Sequence, residues 1–232
     1  MLSRGNTKLG PRIWTWSLPV LSTCPGKSAI CKEVCYAARG QLMMLNRRGH
    51  YVQHFEKSKR RDFVSWMTHQ IRDSCIDVMR VHVSGDFYSA AYVRKWIAIA
   101  SRNRQTQFFA YTRSWNVAAC RPQLLRLSRL PNFRLWLSTD GSMPSPPRWK
   151  HASTCYLSTC DADQPARKTD LVFRDVVQSV MKKTSNGSLV CPYDNGITTT
   201  TCSHCKFCWR PRQADLAFVP LRQLTSPARP TA

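Results

Sequence analysis

Apolar and polar positions are most regularly spaced in the middle of the chain. Val78 to Val83 alternates apolar with polar from Met79 and ends at Ser84-Gly85-Asp86, which is the period of a half-buried strand. Tyr92 to Ala100 then sets Trp96, Ile97 and Ile99 at helical spacing. Gln107 to Thr112 predicts a strand, Ala118 to Leu130 a helix closed by Pro131, and Phe133 to Ser138 another strand. Upstream, Arg12 to Pro19 predicts a short strand. Phe63, Trp66, Met67 and Ile71 recur at helical spacing behind Asp62, an expected N-cap. Strands alternating with helices across short connections are the mark of parallel βα units. The expected fold class is α/β, either a partial barrel or an open parallel sheet.

The pattern weakens after Gly141. Ser142 to Pro147 reads as a turn-rich linker, and Leu171 to Met181 predicts one amphipathic helix. These changes divide the chain into an α/β core over 1–145, a cysteine-rich extension over 146–212 and an irregular tail over 213–232.

Composition narrows the classes. The chain of 232 residues is 43% hydrophobic, which is a globular profile. No apolar run approaches the ~20 residues needed to span a bilayer, so no membrane partner is expected. The first residues carry no apolar signal region, and the default is a cytoplasmic protein. Lys and Arg total 35 against 13 Asp and Glu, a formal net charge of +22. That excess attracts polyanions and makes nucleic acid the expected partner, DNA and RNA being equally open. A merely solvated basic surface is the blander reading. Arg39, Arg47, Arg48, Lys57, Lys59, Arg60 and Arg61 form the clearest basic cluster, opposed only by Glu56.

Eleven cysteines change the picture most. The number is odd, no export signal accompanies it, and short fixed spacings in a reducing compartment point to metal rather than disulfides. Cys191-x10-Cys202-x2-Cys205-x2-Cys208 offers a triplet for three corners of a cubane and a distant cysteine for the fourth, the ligation logic of a [4Fe–4S] site. Zinc groups its ligands as two separated pairs, although His204 keeps a Cys/His zinc site in play. Cys24-x6-Cys31-x3-Cys35 offers three thiolates in one loop and would leave an iron open to a ligand. Alternatively Cys155 or Cys160 closes that site, or the three are ordinary thiols. Cys75 and Cys120 read as buried small hydrophobes.

Ser84-Gly85-Asp86, Thr112-Arg113-Ser114 and Ser138-Thr139-Asp140 each follow a predicted strand. Such loops share the C-terminal edge of a parallel sheet, where ligands bind. Asp86, Asp140 and Arg113 are the candidate catalytic groups, and Ser84, Gly85, Asp86, Thr112 and Ser138 the candidate cofactor-binding groups. Asp86 and Asp140 would equally serve as helix caps. His82 reads as structural, and Trp14, Trp16, Trp96, Trp115 and Trp136 as mostly core.

RGNTKLG at 4–10, IWTWSLP at 13–19, CPG at 24–26, C-x3-CYA at 31–37, SGDF at 84–87 and the terminal C-x2-C-x2-CW resemble the phage "gene product 88" family over roughly residues 3–210. A wider resemblance is to radical S-adenosylmethionine enzymes, which place a three-cysteine loop after the first strand of a partial (β/α)6 barrel. It implies a radical-SAM-like barrel with a cysteine-rich extension and two [4Fe–4S] clusters, one on Cys24, Cys31 and Cys35 and an auxiliary one on Cys191, Cys202, Cys205 and Cys208. It also implies S-adenosylmethionine, with Ser84-Gly85-Asp86 at its amine. The x6,x3 spacing and the shorter Asp86 depart from that superfamily's x3,x2 and Glu, and both count against this cofactor. Redox or radical chemistry at the open cluster is the expected activity. The rival is a nucleic-acid-binding protein whose metal sites only staple the fold.

Overall fold

Seven strands form one sheet in the order β1-β2-β3-β4-β5-β6-β7, as seen in a computed structural model describing residues 2–39, 42–44 and 49–210. They are β1 Ser3–Arg4, β2 Ile13–Trp16, β3 Val78–Val81, β4 Gln107–Thr112, β5 Phe133–Thr139, β6 Ala152–Ser158 and β7 Leu171–Arg174. β1 runs antiparallel to β2, and every pair from β2 to β7 is parallel. The register sets Trp14, Met79, Phe108 and Phe133 in one row across four strands, and Tyr111, Trp136 and Ser153 in another.

The described helices are α1 Ala29–Glu33, α2 His50–Lys59, α3 Phe63–Asp73, α4 Ala90–Arg102, α5 Arg121–Ser128 and α6 Cys202–Cys205. Parallel neighbours in strict chain order need crossovers of one hand, which keeps the connecting helices on one face. Met79, Val81, Phe108, Ala110, Leu135 and Leu137 point to that face and pack against Phe63, Met67, Ile71, Tyr92, Trp96, Ile99, Leu124 and Leu127 of α3, α4 and α5. Each such fully buried side chain contributes about 1.5–3 kcal/mol. The opposite face carries Val78, Arg80, Phe109, Tyr111, Arg134, Trp136 and Cys155, and the segment 191–210 covers part of it. Trp136 donates its indole N–H to the Cys208 carbonyl at 2.8 Å, and Phe207 packs 5.8 Å from the Trp136 ring.

The strands and helices of the middle region lie where the hydrophobic period sets them, with small shifts at their ends. α4 begins behind Ser89, whose hydroxyl accepts from the Tyr92 N–H at 3.2 Å. Asp62 stands at the start of α3, but its carboxylate accepts from Arg60 at 2.9 and 2.6 Å and makes no cap. The helix expected over Leu171 to Met181 is instead the strand β7 followed by bends. The open edge of β6 offers a parallel ladder pairing Cys155 with Leu171, and β-branched and aromatic residues suit it. Val176, Val177 and Val180, which gave the helical spacing, remain exposed. β6 itself, rich in small and hydroxyl residues, was not marked by periodicity. The boundary at 145/146 falls between β5 and β6, and β6 and β7 extend the same sheet. The tail expected over 213–232, together with Arg47 and Arg48, lies outside the described residues. No helix among the described residues is long and apolar enough to cross a membrane.

Candidate functional site

The loop after β2 lies across the C-terminal ends of β3 and β4. The Leu18 N–H donates to the Ser84 carbonyl at 2.8 Å, and the Ser84 hydroxyl donates to the Leu18 carbonyl at 2.9 Å. The Asp86 N–H donates to the Thr23 carbonyl at 3.2 Å. Two glycines permit this closeness. A Cβ on Gly26 would stand 2.2 Å from the Arg113 carbonyl oxygen. One on Gly85, where φ is +80°, would stand 2.5 Å from the Thr23 hydroxyl.

The strand-end residues hold this loop. Asp86 is buried and accepts three backbone N–H groups, from Phe87 at 2.6 Å, Arg113 at 2.9 Å and Ser114 at 3.2 Å. Burial raises its pKa, with hydrogen bonds from Thr112 and those N–H groups opposing. Thr112 also accepts from the Ser114 N–H at 3.0 Å. Asp140 accepts from the Arg113 guanidinium, from the Ser28 hydroxyl, and from the N–H and hydroxyl of Ser142 at 3.0 and 2.7 Å. Burial would raise the Asp140 pKa, but Ser28, Arg113 and Ser142 together hold it below the usual value. Ser28 in turn caps α1, accepting from the Cys31 N–H at 2.9 Å. Ser138 pairs with Cys155 across β5 and β6, and its carbonyl accepts from the Trp115 indole at 2.8 Å.

Cys24, Cys31 and Cys35 are free, half-buried thiols on this loop. Burial pushes Cys24 up to about 12, and the charges of Asp86, Cys31 and Cys35 add to the rise. Burial also raises Cys31, with Arg113 opposing and Cys35, Asp140 and Asp86 adding. The three thiols therefore sense one another and the strand-end charges.

The second group lies on the helix-free face. Cys191 follows Val190, which bridges to β7, and its N–H donates to the Val172 carbonyl at 2.9 Å. α6 is tied to the N-terminal segment, where Cys202 and Ser203 donate their N–H groups to Lys8 and Leu9 at 2.9 and 3.0 Å. Lys8 pairs with Asp194 at 2.5 Å. The Trp209 indole donates to the Cys202 carbonyl at 3.3 Å. Cys191 is pushed up to about 11, first by burial and then by Asp194, with Cys202 adding. Burial likewise raises Cys208; the Tyr111 hydroxyl opposes this, and Cys202, Cys191 and Cys205 add to it. Cys205 is exposed. His204 shares a hydrogen bond with the Thr201 hydroxyl at 3.0 Å. Among the described residues, no three or more His, Cys, Asp or Glu side chains come together as a site for a single metal ion.

Cys155 is fully buried in the apolar cluster of Trp136, Leu171 and Cys191, on the side of the second group. Cys160 is half-buried in the loop after β6. Cys120 is buried as expected, whereas Cys75 is exposed at the end of α3, since the chain turns there with φ +47°. His82 is buried against the Tyr92 hydroxyl at 2.8 Å, and burial and then Arg80 lower its pKa to about 3, so it is a neutral structural residue. Trp16, Trp96, Trp115 and Trp136 are buried. In the basic cluster, Lys59 pairs with Glu56 and Arg60 with Asp62, and Lys57 lies 4.2 Å over the Trp66 ring. Sequence reasoning passed over Arg80, Tyr36 and Tyr111. Their one sequence signal is a cation inside the strand VMRVHV.

The family model described as Gene product 88 matches residues 1–211. Two curated relatives, each named Gene 88 protein, come from mycobacteriophages. The one from Mycobacterium phage L5 is 28% identical over 129 residues, 51% of this chain and 52% of its own. The one from Mycobacterium phage D29 is 26% identical over 159 residues, 62% of this chain and 65% of its own. The chain thus spans less than two thirds of either relative. No solved structure matches it.

Proposed function

The chain belongs to the gene product 88 family of phage proteins, and from that premise we propose that it is an iron–sulfur protein with two cysteine-bound clusters on one α/β sheet. The observation that carries this reading is the sorting of seven cysteines into two groups whose thiols feel one another's charge. A tetrahedral zinc draws four ligands to about 2.0–2.3 Å from one ion, whereas a cubane spreads its thiolates over four irons. Free thiols that are mutually close but form no single-ion site fit the wider group better.

Cys24, Cys31 and Cys35 would hold one cluster, and Cys191, Cys202, Cys205 and Cys208 the other. Such clusters supply reversible one-electron transfer. The protein's own part is positional. Asp86 and Asp140 anchor the three-cysteine loop, and Arg113 places a positive charge beside Cys31 that favours its thiolate. Asp86 does not fit the amine-binding role implied for S-adenosylmethionine, because its carboxylate is enclosed and engaged by three backbone N–H groups. The consecutive parallel order of β2 to β7 agrees with a partial barrel whose mouth carries the loop.

Anaerobic loading with ferrous iron and sulfide, followed by iron and sulfide analysis and EPR, tests the reading. Two clusters per chain are expected; colourless protein holding zinc alone would refute it. The net charge of +22 favours a second reading, nucleic-acid binding around structural clusters, which salt-dependent binding without redox turnover would support.

A further inference from the structure

Arg80 lies between the two cysteine groups and touches the surroundings of both. Its Nη2 donates to the Tyr36 hydroxyl at 3.1 Å, and Tyr36 is the residue after Cys35. Its Nε donates to the His82 carbonyl at 3.1 Å. On the other side its guanidinium stands 5.1 Å over the Tyr111 ring, whose hydroxyl bonds the Cys208 thiol. A path of direct contacts therefore runs from the N-terminal loop through Tyr36, Arg80 and Tyr111 to Cys208.

The charge of Arg80 has no carboxylate to meet. Among the described residues none lies within ion-pair distance of it, and its hydrogen-bond acceptors are neutral. Arginine stays protonated in proteins, and a cation drawn partly out of water needs a nearby anion. The anions within its reach are Cys202 and Cys208 when ionised, and their charge favours the guanidinium against the cost of burial. Lys8, the other cation near Cys191 and Cys202, is already committed to Asp194.

We propose that Arg80 is the shared counter-charge of both cysteine sites, compensating the thiolates of Cys202 and Cys208 and reaching the N-terminal loop through Tyr36. The charge state of one site then acts on the other. The proposal rests on the iron–sulfur reading and assigns the residue that couples its two halves.

The test uses the full chain loaded anaerobically with ferrous iron and sulfide. Iron content is scored first, and a chain that retains no iron overturns the iron–sulfur reading and this proposal with it. In the iron-loaded chain, Arg80→Met keeps the apolar stem and removes the charge. It is expected to weaken iron retention against a competing chelator 10–100-fold, the usual effect of losing an outer-shell partner. It should also lower the reduction potential of both EPR signals. Arg80→Lys keeps the charge and should restore the potential of the C-terminal signal. Tyr36→Phe removes only the hydrogen bond toward the loop. It should shift the signal that Cys31→Ala abolishes and leave the other in place. If Arg80→Met does not fold, the lysine and phenylalanine variants decide the matter by the same readouts. Iron-loaded variants with both potentials and chelator resistance unchanged would overturn the proposal and leave the iron–sulfur reading standing. An Arg80→Lys chain as impaired as Arg80→Met would overturn it too, because charge would then not be the operative property.

Discussion

The Ser28 hydroxyl donates to the Asp140 carboxylate while accepting from the Cys31 N–H, so a residue at the end of β5 fixes the start of the helix that carries the second cysteine of the loop. Arg113, from the end of β4, completes this arrangement by pairing with the same carboxylate. The three-cysteine loop is thus positioned by tertiary bonds to strand ends rather than by its own short helix.

Breaking the Arg113–Asp140 pair should be costly. The two side chains are 8% and 0% exposed, so removing one partner strands the other charge in the interior. Asp140→Asn should destabilise the fold by about 3–5 kcal/mol, the range for breaking a buried pair. Urea denaturation at neutral pH measures it.

The same pair sets a pH dependence. The folded Asp140 pKa is held below its unfolded value, so its stabilising contribution is complete above about pH 4 and fades as pH falls through the folded value. Asp86, raised by burial, works in the opposite sense and favours the fold most when protonated. The stability difference between the native chain and Asp140→Asn should therefore shrink below pH 4. A difference that stays constant down to pH 2 would contradict the assignment.

Gly26→Ala should damage the loop more than a surface glycine change would. Its Cβ would meet the Arg113 carbonyl at 2.2 Å, a backbone atom that cannot swing away. Overpacking of this kind costs about 1–3 kcal/mol. The Cys31 thiol should also become more reactive toward an alkylating reagent, and unchanged stability and reactivity would rule out the clamp.

Cys205 offers a clean test of the C-terminal group because its side chain is exposed. In metal-free protein Cys205→Ala should change the melting temperature little. In iron-loaded protein it should lose the C-terminal cluster and the stabilisation that the metal gives. Equal iron content in the variant and the native chain would exclude Cys205 as a ligand.

Nucleic-acid affinity, where present, should fall steeply with salt, with log K declining by about 0.9 per phosphate neutralised on duplex DNA. Absence of binding at low ionic strength would make the +22 a solvated surface charge.

The sequence by itself determined the α/β class and the strands and helices between Val78 and Thr139, because there the hydrophobic period is strong and local propensity agrees with it. It also determined the two cysteine groups, since ligand spacing within a loop is a local property. Only the tertiary structure decided β7, where pairing with β6 overrode a helical spacing at Val176, Val177 and Val180. It likewise turned Asp86 and Asp140 from candidate catalytic groups into anchors of the cysteine loop, by supplying N–H and guanidinium donors from residues 27 positions away. Arg80 was decided the same way. A lone cation in an alternating strand carries no local mark of function, and its role depends on Tyr36 and Cys208, which the chain brings beside it only by closing the sheet and laying the C-terminal segment across its face.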